Sequence, residues 1–263
     1  MVDLQQTLLD IAKAIVDSPD AVTVAVKEEG RSITLTLSVA PEDMGMVIGR
    51  NGKIAKAIRT VTGFFVDQRE NRSLLEKFSK GKRVLNMFCY TGGFSFYAMR
   101  GGAALVHSVD SSAKAIELTR QNVELNFPGD ARHEAFCEDA FKFLEGIGMP
   151  NANSQTPKAS YDLIILDPPA FAKHRGALHN ALKGYTRLNQ KAFEKIEKGG
   201  ILFTFSCSQV VTKDHFRNAV FTAAALAHRK VRILHQLHQP ADHPINIYHP
   251  EGEYLKGLVL YVE

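Results

Sequence analysis

A cysteine stands between two serines in the segment "FTFSCSQVV", residues 203–211. Phe203, Thr204 and Phe205 alternate as the last residues of a buried strand do, so Cys207 directly follows a predicted strand. An ionised thiol is a strong nucleophile, and neighbouring hydroxyl groups could orient it. A cysteine is also a small apolar side chain that often fills a core. The segment alone is compatible with either role.

A second candidate is Asp167, which is followed by Pro168 and Pro169 after the apolar run "YDLIIL". Two prolines remove two backbone donors and hold the chain extended beyond the strand. The Asp167 carboxylate is then an acceptor for a donor such as the amino group or the protonated ring nitrogen of a base. A rigid loop with no ligand is the alternative.

Small and acidic residues follow three earlier predicted strands. A glycine turn lets a cofactor approach the backbone, and an acid about 20 residues later can accept hydrogen bonds from ribose hydroxyls. Asp110 lies eighteen positions after Gly92. The turn lacks the Gly-x-Gly-x-x-Gly fingerprint of pyrophosphate binding, which favours a nucleoside without phosphates, such as S-adenosylmethionine, with Glu138 or Asp139 near adenine. The candidate residues are Tyr90, Thr91, Gly92, Gly93, Asp110, Ser111, Glu138 and Asp139.

Alternating strands and helices must position these residues from Lys82 onward. The strand candidates are "RVLNMFCY", "ALVHSVD", "ARHEAFCED", "YDLIILD", "GGILFTFS" and "VRILHQL". Helical segments such as "SAKAIELTRQNVELN" lie between them, and "LKGYTRLNQKAFEKIE" is predicted to stop at Gly199-Gly200. The pattern predicts a doubly wound α/β domain with a parallel sheet. Ligands of such sheets bind beyond the carboxyl ends of the strands, where all the candidates above stand.

Residues 1–62 have a different organisation. A helix that ends at Ser18-Pro19 precedes a hairpin formed by "AVTVAVKEE" and "RSITLTLSV". A short helix, the turn Gly49-Arg50-Asn51-Gly52 and a helix that begins near Lys53 follow. Two glycines let a phosphodiester backbone approach closely, although a tight helix–helix turn is the alternative. The segment resembles the small bacterial KH-domain RNA-binding proteins, whose Gly-x-x-Gly loop clamps about four nucleotides.

The KH-like unit departs from that family at its end. A KH domain of this type closes its sheet with a further strand, but here the chain continues into "TGFFVDQRENR". Either residues 64–66 supply a substitute strand or the sheet keeps two strands, which is marginal for stability.

The charge of the chain is concentrated in one stretch. The net charge is +4, yet residues 49–83 carry ten Lys or Arg against three Asp or Glu, an excess of seven. Such a stretch indicates a polyanionic partner or a solvated helix face.

Composition limits the class of protein. Hydrophobic residues form 45% and charged residues 23% of the 263, which is typical of a globular protein. We expect no membrane span and no export signal, because no apolar run reaches roughly 18 residues and the N-terminus is not basic. Three cysteines argue against a disulfide framework, so we expect a cytoplasmic protein.

Five segments together carry a second resemblance. They are "GFFVDQRENR", "VLNMFCYTGGFSFYA", "DLIILDPPAFAK", "FTFSCSQ" and "DHPINIYHPEGEYLKGL". Residues 63–263 resemble the bacterial 23S ribosomal RNA cytosine-5 methyltransferases, which are class I enzymes that use S-adenosylmethionine. The resemblance implies a Rossmann-like fold, Cys207 as the nucleophile, and Asp167 and Pro168 at the pocket. The other implied cofactor contacts are Tyr90, Thr91, Gly92, Gly93, Asp110 and Asp139, with Gln68 and Arg69 approaching from the N-terminal side.

The chemistry of that family gives the thiol a purpose. Carbon 5 of cytosine is a poor nucleophile, and a thiolate that adds to carbon 6 makes it reactive. Cys89 and Cys137 are predicted to be buried structural cysteines. The family normally has a PUA domain and a β-rich connector before its "DQR" segment, and the KH-like unit stands in their place.

Other functions stay open at this point. A methyltransferase acting on a purine nitrogen, such as guanine N7, would share Asp-Pro-Pro-x-Phe but would need no Cys207. An RNA-binding module that has lost activity would fail to bind S-adenosylmethionine. A dinucleotide oxidoreductase is disfavoured by the incomplete glycine fingerprint. We expect no metal site, because the C-terminal histidines lack the paired spacing of zinc ligands; they are His228, His235, His238, His243 and His249. The oligomeric state is not predicted.

Overall fold

The structure is a computed structural model that describes residues 4–29, 32–44, 66–147, 160–241, 243–248 and 252–263. Its contacts divide the chain into two compact units, residues 1–66 and residues 67–263. The predicted loop at Gly49–Lys53 lies outside the described residues.

The first unit begins with a helix and a hairpin, as predicted. Helix α1 spans Leu4–Lys13, and strands β1 (Thr23–Glu29) and β2 (Ser32–Ser38) pair antiparallel. The helix ends five residues before Ser18, whose backbone N–H instead donates to the buried carboxylate of Asp43 at 3.0 Å. Val66 belongs to a short 3₁₀ turn, Val66–Gln68, rather than to a closing strand; residues 64 and 65 lie outside the described part.

The second unit alternates strands and helices. Its helices are α2 (Arg69–Phe78), α3 (Gly93–Arg100), α4 (Ala113–Asn126), α5 (Ala140–Gly146), α6 (Leu178–Lys195) and α7 (Lys213–Leu226). Its strands are β3 (Arg83–Met87), β4 (Leu105–Asp110), β5 (His133–Cys137), β6 (Tyr161–Leu166), β7 (Ile196–Ser206), β8 (Val231–His238) and β9 (Lys256–Val262).

The seven strands form one sheet in the order β5-β4-β3-β6-β7-β9-β8. The first five are parallel, and β9 pairs antiparallel with both β7 and β8. The predicted doubly wound α/β fold is confirmed. Strand β9 was not among the predicted strands, although "KGLVLYV" has the apolar content of one.

The central strands are buried on both faces. In β6, Leu163 and Ile165 pack into a cluster with Phe94 and Phe203. Ile164 of the same strand points to the opposite face and packs into a larger cluster. Two covered faces explain the near-continuous apolar runs and hold the strand ends firmly in place.

The end of α6 differs from the prediction. The helix stops at Lys195, before Gly199-Gly200, and β7 begins at once with Ile196. The pairing with β6 jumps from Tyr161↔Ile196 to a partner five residues later, Leu163↔Ile201. Gly199 has φ +77°, so the two glycines lie at an irregularity of strand β7 and do not end the helix.

Within the described ranges, no helix is both long and apolar enough to cross a membrane.

Candidate functional site

The sheet has a reversal of strand order between β3 and β6. From β3 the chain proceeds to β4 and β5 on one side, and β6 and β7 lie on the other. Parallel strands that diverge in this way leave a crevice at their carboxyl ends, where ligands bind. The predicted residues after β3, β4, β5, β6 and β7 therefore share one edge, which we call the carboxyl edge.

The turn after β3 has strained backbone geometry. Phe88 and Tyr90 have positive φ values of 58° and 49°, and Gly92 has φ +88°. A Cβ atom at Gly92 would lie 2.7 Å from the ring of Phe96. The Tyr90 carbonyl accepts a hydrogen bond from Thr119 of α4 at 2.8 Å. Positive φ outside glycine is uncommon and recurs at ligand-binding turns, so the packed turn is suited to a close backbone contact.

Asp110 fixes the relation between this turn and α4. Its Oδ2 accepts the Tyr90 N–H at 3.0 Å, and its Oδ1 accepts the Ser112 N–H at 2.9 Å. A carboxylate has about four acceptor positions, so two stay available for hydroxyl groups of a ligand. The neighbouring Ser111 is exposed, and Ser112 rather than Ser111 caps α4.

The two acids after β5, Glu138 and Asp139, make local hydrogen bonds and are also accessible to a ligand. Oδ1 of Asp139 accepts the N–H groups of Phe141 and Lys142 at 3.0 and 3.1 Å and so caps α5. Oε1 of Glu138 accepts the Asp139 N–H at 2.9 Å. Asp139 is exposed and Glu138 half-buried, so both residues are accessible from solvent.

Gln68 joins the start of α2 to the loop after β6. Its side chain is 3% exposed, and its Nε2 donates to Oδ1 of Asp167 at 3.1 Å. Its Oε1 accepts a hydrogen bond from Asn71 at 2.7 Å. Arg69, in contrast, is largely exposed and lies 3.7 Å from Glu70.

Arg72 is a site residue that sequence reasoning missed. It is 4% exposed, its guanidinium lies 5.5 Å from the centre of the Phe94 ring, and a Cβ at Gly93 would approach its Nε to 2.9 Å. Burial lowers the pKa of Arg72 to about 10, against the opposing effect of the Asp167 carboxylate. Arg72 rather than Arg69 is the cation beside Asp167. Helical spacing from Gln68, four residues earlier, is the signal that could have found it.

Asp167 has an unusual electrostatic setting. Burial among protein atoms raises its pKa to about 7, and Asp67 adds to the rise, while Arg72 and the hydrogen bond from Gln68 oppose it. The carboxyl group can therefore be either protonated or ionised near neutral pH. A group of that kind can hold or release a proton during a reaction.

Cys207 lies beside this loop. It is half-buried, and its Sγ lies 3.8 Å from the carbonyl oxygen of Pro168. The flanking serines anchor the backbone: Ser206 donates to the Tyr185 hydroxyl at 3.0 Å, and Ser208 donates to the carbonyl of Ala172. The two hydroxyls thus hold the loop that presents the thiol.

The other cysteines differ from each other. Cys89 is buried, and burial raises the pKa of its thiol to about 12, as expected of a structural cysteine. The prediction that Cys137 is buried is wrong, because its side chain is exposed. It is the last residue of β5, an edge strand of the sheet, and its Sγ lies 3.7 Å from the carbonyl oxygen of Ser111.

The hydrogen-bond acceptors at the carboxyl edge fit S-adenosylmethionine. Asp110, Glu138 and Asp139 offer acceptor oxygens for ribose hydroxyls and an adenine amino group, and their negative charge suits a sulfonium cation. Among the described residues, no group of three or more His, Cys, Asp and Glu is arranged to hold a metal ion.

Two known protein families match this chain, one over most of its length and one near its N-terminus. The family described as S-adenosylmethionine-dependent methyltransferase matches residues 43–248. The family described as the KH domain of KhpA/KhpB matches residues 5–76.

Two curated relatives share one name. The "Ribosomal RNA large subunit methyltransferase I" of Aeromonas hydrophila is 43% identical over 219 residues, which are 82% of this chain and 53% of that protein. The protein of the same name from Shewanella denitrificans is 42% identical over 223 residues, or 83% and 54% of the two chains. The chain thus spans about half the length of the curated relatives it matches.

Solved structures agree with the fold. An S-adenosylmethionine-dependent methyltransferase from Streptococcus mutans superimposes with a TM-score of 0.65 at 27% identity, over 76% of this chain and 50% of that one. A methyltransferase crystallised with S-adenosylhomocysteine matches with the same values. Trm5b of Pyrococcus abyssi has a TM-score of 0.56 at 19% identity, over 98% and 71% of the two chains, which is a likeness of fold alone.

Proposed function

Because the chain belongs to the S-adenosylmethionine-dependent methyltransferase family, we propose that it methylates carbon 5 of a cytosine in RNA, with 23S ribosomal RNA as the substrate. The observation that carries the proposal is the position of Cys207, whose Sγ lies 3.8 Å from the Pro168 carbonyl, next to Asp167. A nucleophile is expected of an enzyme that methylates carbon 5 and is not needed by one that methylates a ring nitrogen.

The choice of RNA has three supports. The curated relatives are named for the RNA of the large ribosomal subunit. A KH family match covers residues 5–76, and KH domains bind single-stranded nucleic acid. The basic stretch of residues 49–83 supplies positive charge for a phosphate backbone. In this proposal residues 1–62 hold RNA through Gly49, Arg50, Asn51, Gly52 and Lys53, residues 63–263 carry out the chemistry, and the enzyme works in the cytoplasm.

Each residue of the site then has a task. The Cys207 thiolate forms a bond to carbon 6 of the cytosine, which moves an electron pair to carbon 5. Asp167, with a pKa near 7, shares a proton with ring nitrogen 3 and stabilises the charge that develops there. When bound, the cofactor supplies the methyl group to carbon 5. A base removes the proton from carbon 5, and the bond between sulfur and carbon 6 breaks.

Cofactor contacts follow from the carboxyl edge. Asp110, with Ser111 beside it, would hold ribose hydroxyls, while Glu138 and Asp139 would face adenine. The turn of Tyr90, Thr91, Gly92 and Gly93 would line the backbone side. Gln68, Asp167 and Pro168 would border the methyl-transfer end of the pocket, with Arg69 at its outer margin.

The test uses S-adenosylmethionine with a labelled methyl group and unmethylated 23S ribosomal RNA. Nucleosides from the digested RNA are identified by mass spectrometry for the wild type, Cys207→Ala and the matched control Cys137→Ala. We expect label in 5-methylcytosine, lost by about a thousandfold or more in Cys207→Ala and kept in Cys137→Ala. Label in a purine, or activity that survives Cys207→Ala, would contradict the proposal.

A further inference from the structure

A buried lysine lies next to the cysteine loop. Lys256 is the first residue of β9, is 4% exposed, and pairs with Ser206 in the antiparallel register of β7 and β9. Fully buried lysines are rare, because removing an ammonium group from water is costly unless it is paired. Its position one residue from Cys207 across the sheet therefore needs an explanation.

The ammonium group is directed to the backbone of the loop. Its Nζ donates to the carbonyl oxygen of Ser208 at 2.7 Å. Ser208 immediately follows Cys207, so the contact holds the loop on one side of the thiol. On its other side the protonated Cys207 thiol contacts the carbonyl oxygen of Pro168 at 3.8 Å.

The titratable groups around Lys256 and Cys207 come from several elements. Burial lowers the pKa of Lys256 to about 8, opposed by Cys207 and Glu253 and assisted by Lys213. Glu253 is engaged by Lys213 at 2.5 Å. Tyr185 of α6 faces Cys207 and keeps its proton, since burial raises its pKa to about 12. Asp167 is the other acid near Tyr185 and Cys207, and its pKa near 7 leaves it partly neutral.

We propose that Lys256 is the positioning residue that favours the thiolate of Cys207, by holding its loop at Ser208 and by placing a positive charge beside the sulfur. The Cys207 S–H bond breaks and its proton goes to solvent, while Lys256 keeps its own proton below a pH of about 8. A cation within about 4–6 Å lowers the pKa of an acid by 1–3 units. The inference rests on the proposed function in taking Cys207 as the nucleophile.

The experiment measures the thiol without turnover. The intact protein is alkylated with iodoacetamide from pH 5.5 to 9.5, and modification of Cys207 and Cys137 is followed separately by mass spectrometry. The midpoint is the pH at which the alkylation rate of a cysteine reaches half of its maximum. In the wild type we expect the Cys207 midpoint to lie about one pH unit below the value of about 8.5 for an ordinary thiol. In Lys256→Met we expect the midpoint to rise by about one unit, with a roughly tenfold slower reaction at pH 7.

Two variants separate charge from packing. Lys256→Arg keeps the charge and should leave the midpoint within a few tenths of a unit of the wild type. Lys213→Met removes an exposed positive charge from the same edge and should shift it much less than Lys256→Met. Cys137 reports on each sample and should react alike in all of them.

Several results would overturn the inference. One is a wild-type Cys207 midpoint at or above 8.5, which is measured on the unaltered protein. Another is an equal midpoint in Lys256→Met and the wild type. If the labelled-methyl assay fails but the Lys256-dependent midpoint shift is present, the inference stands and the proposed reaction falls.

Discussion

The pKa of Asp167 is subject to opposing electrostatic effects. Asp167 accepts a hydrogen bond from Gln68, Arg72 lies beside it, and burial still raises its pKa from 3.8 to about 7. The folded protein therefore binds this proton more tightly than the unfolded chain does. The contribution of this carboxyl group to the free energy of unfolding is fully present at low pH, where the group is protonated, and is lost as the pH rises through about 7.

Asp167→Asn makes that dependence measurable, because asparagine stays neutral at every pH. From the pKa change we expect the wild type to lose about 3 kcal/mol of unfolding free energy, relative to the variant, between pH 5 and pH 8. Urea unfolding of both proteins at the two pH values tests this. A relative stability that is constant, or that increases with pH, would show that the carboxyl group is not held near neutrality by burial.

Helix α2 is the element that carries Gln68 and Arg72 to the carboxyl edge. Its position depends on close contact with α3, because a Cβ atom at Gly101 would lie 2.4 Å from the backbone oxygen of Glu76. Arg100 adds an ion pair to Glu76 at 2.6 Å on the exposed side. The backbone contact is the stricter requirement, since a backbone oxygen cannot move aside as a flexible side chain can.

Gly101→Ala should force α2 away from α3. We expect a loss of about 1–3 kcal/mol in unfolding free energy, as is usual for overpacking, and weaker binding of S-adenosylmethionine because Gln68 and Arg72 move with the helix. Calorimetric titration and urea unfolding measure the two effects. Gly252→Ala is the control, because its Cβ would meet nothing within 4 Å. Equal behaviour of the two variants would contradict this account of α2.

The whole molecule consists of two compact units, residues 1–66 and residues 67–263. Two family matches, one for a KH domain and one for a methyltransferase, cover them with an overlap at residues 43–76. The overlap includes the segment Gly-Arg-Asn-Gly, predicted to be a turn, and most of the basic stretch. Because residues 49–53, proposed to bind RNA, belong to the first unit and the proposed cofactor residues to the second, we expect RNA affinity and cofactor affinity to respond to different substitutions.

The double substitution Arg50→Asp with Asn51→Asp tests that division. It changes the charge of the loop by three, so we expect RNA affinity to fall by about tenfold or more and its salt dependence to weaken. Binding of S-adenosylmethionine should be unchanged. Fluorescence anisotropy with a short single-stranded RNA at several salt concentrations, and calorimetry with the cofactor, measure the two quantities. Unaltered RNA binding would remove this loop from the RNA-binding surface.

Much of the fold and of the carboxyl edge could be predicted from sequence because the relevant signals are local. Continuous apolar runs mark buried parallel strands, and glycine or acidic residues at their ends mark the binding edge. The positions of Asp110, Asp139, Asp167 and Cys207 after successive strands follow from that pattern. Their convergence needs only that the strands be parallel.

Tertiary structure decided what depends on contacts between distant segments. The insertion of β9 between β7 and β8 pairs Lys256 with Ser206, fifty residues apart, and no local pattern sets that register. Packing of α2 against α3 buries Arg72 beside Asp167, and the edge position of β5 leaves Cys137 exposed. The sequence by itself determined which residues could do chemistry, since residue type and local periodicity suffice for that. The fold decided their protonation, because desolvation and neighbouring charge come from segments far away in the chain.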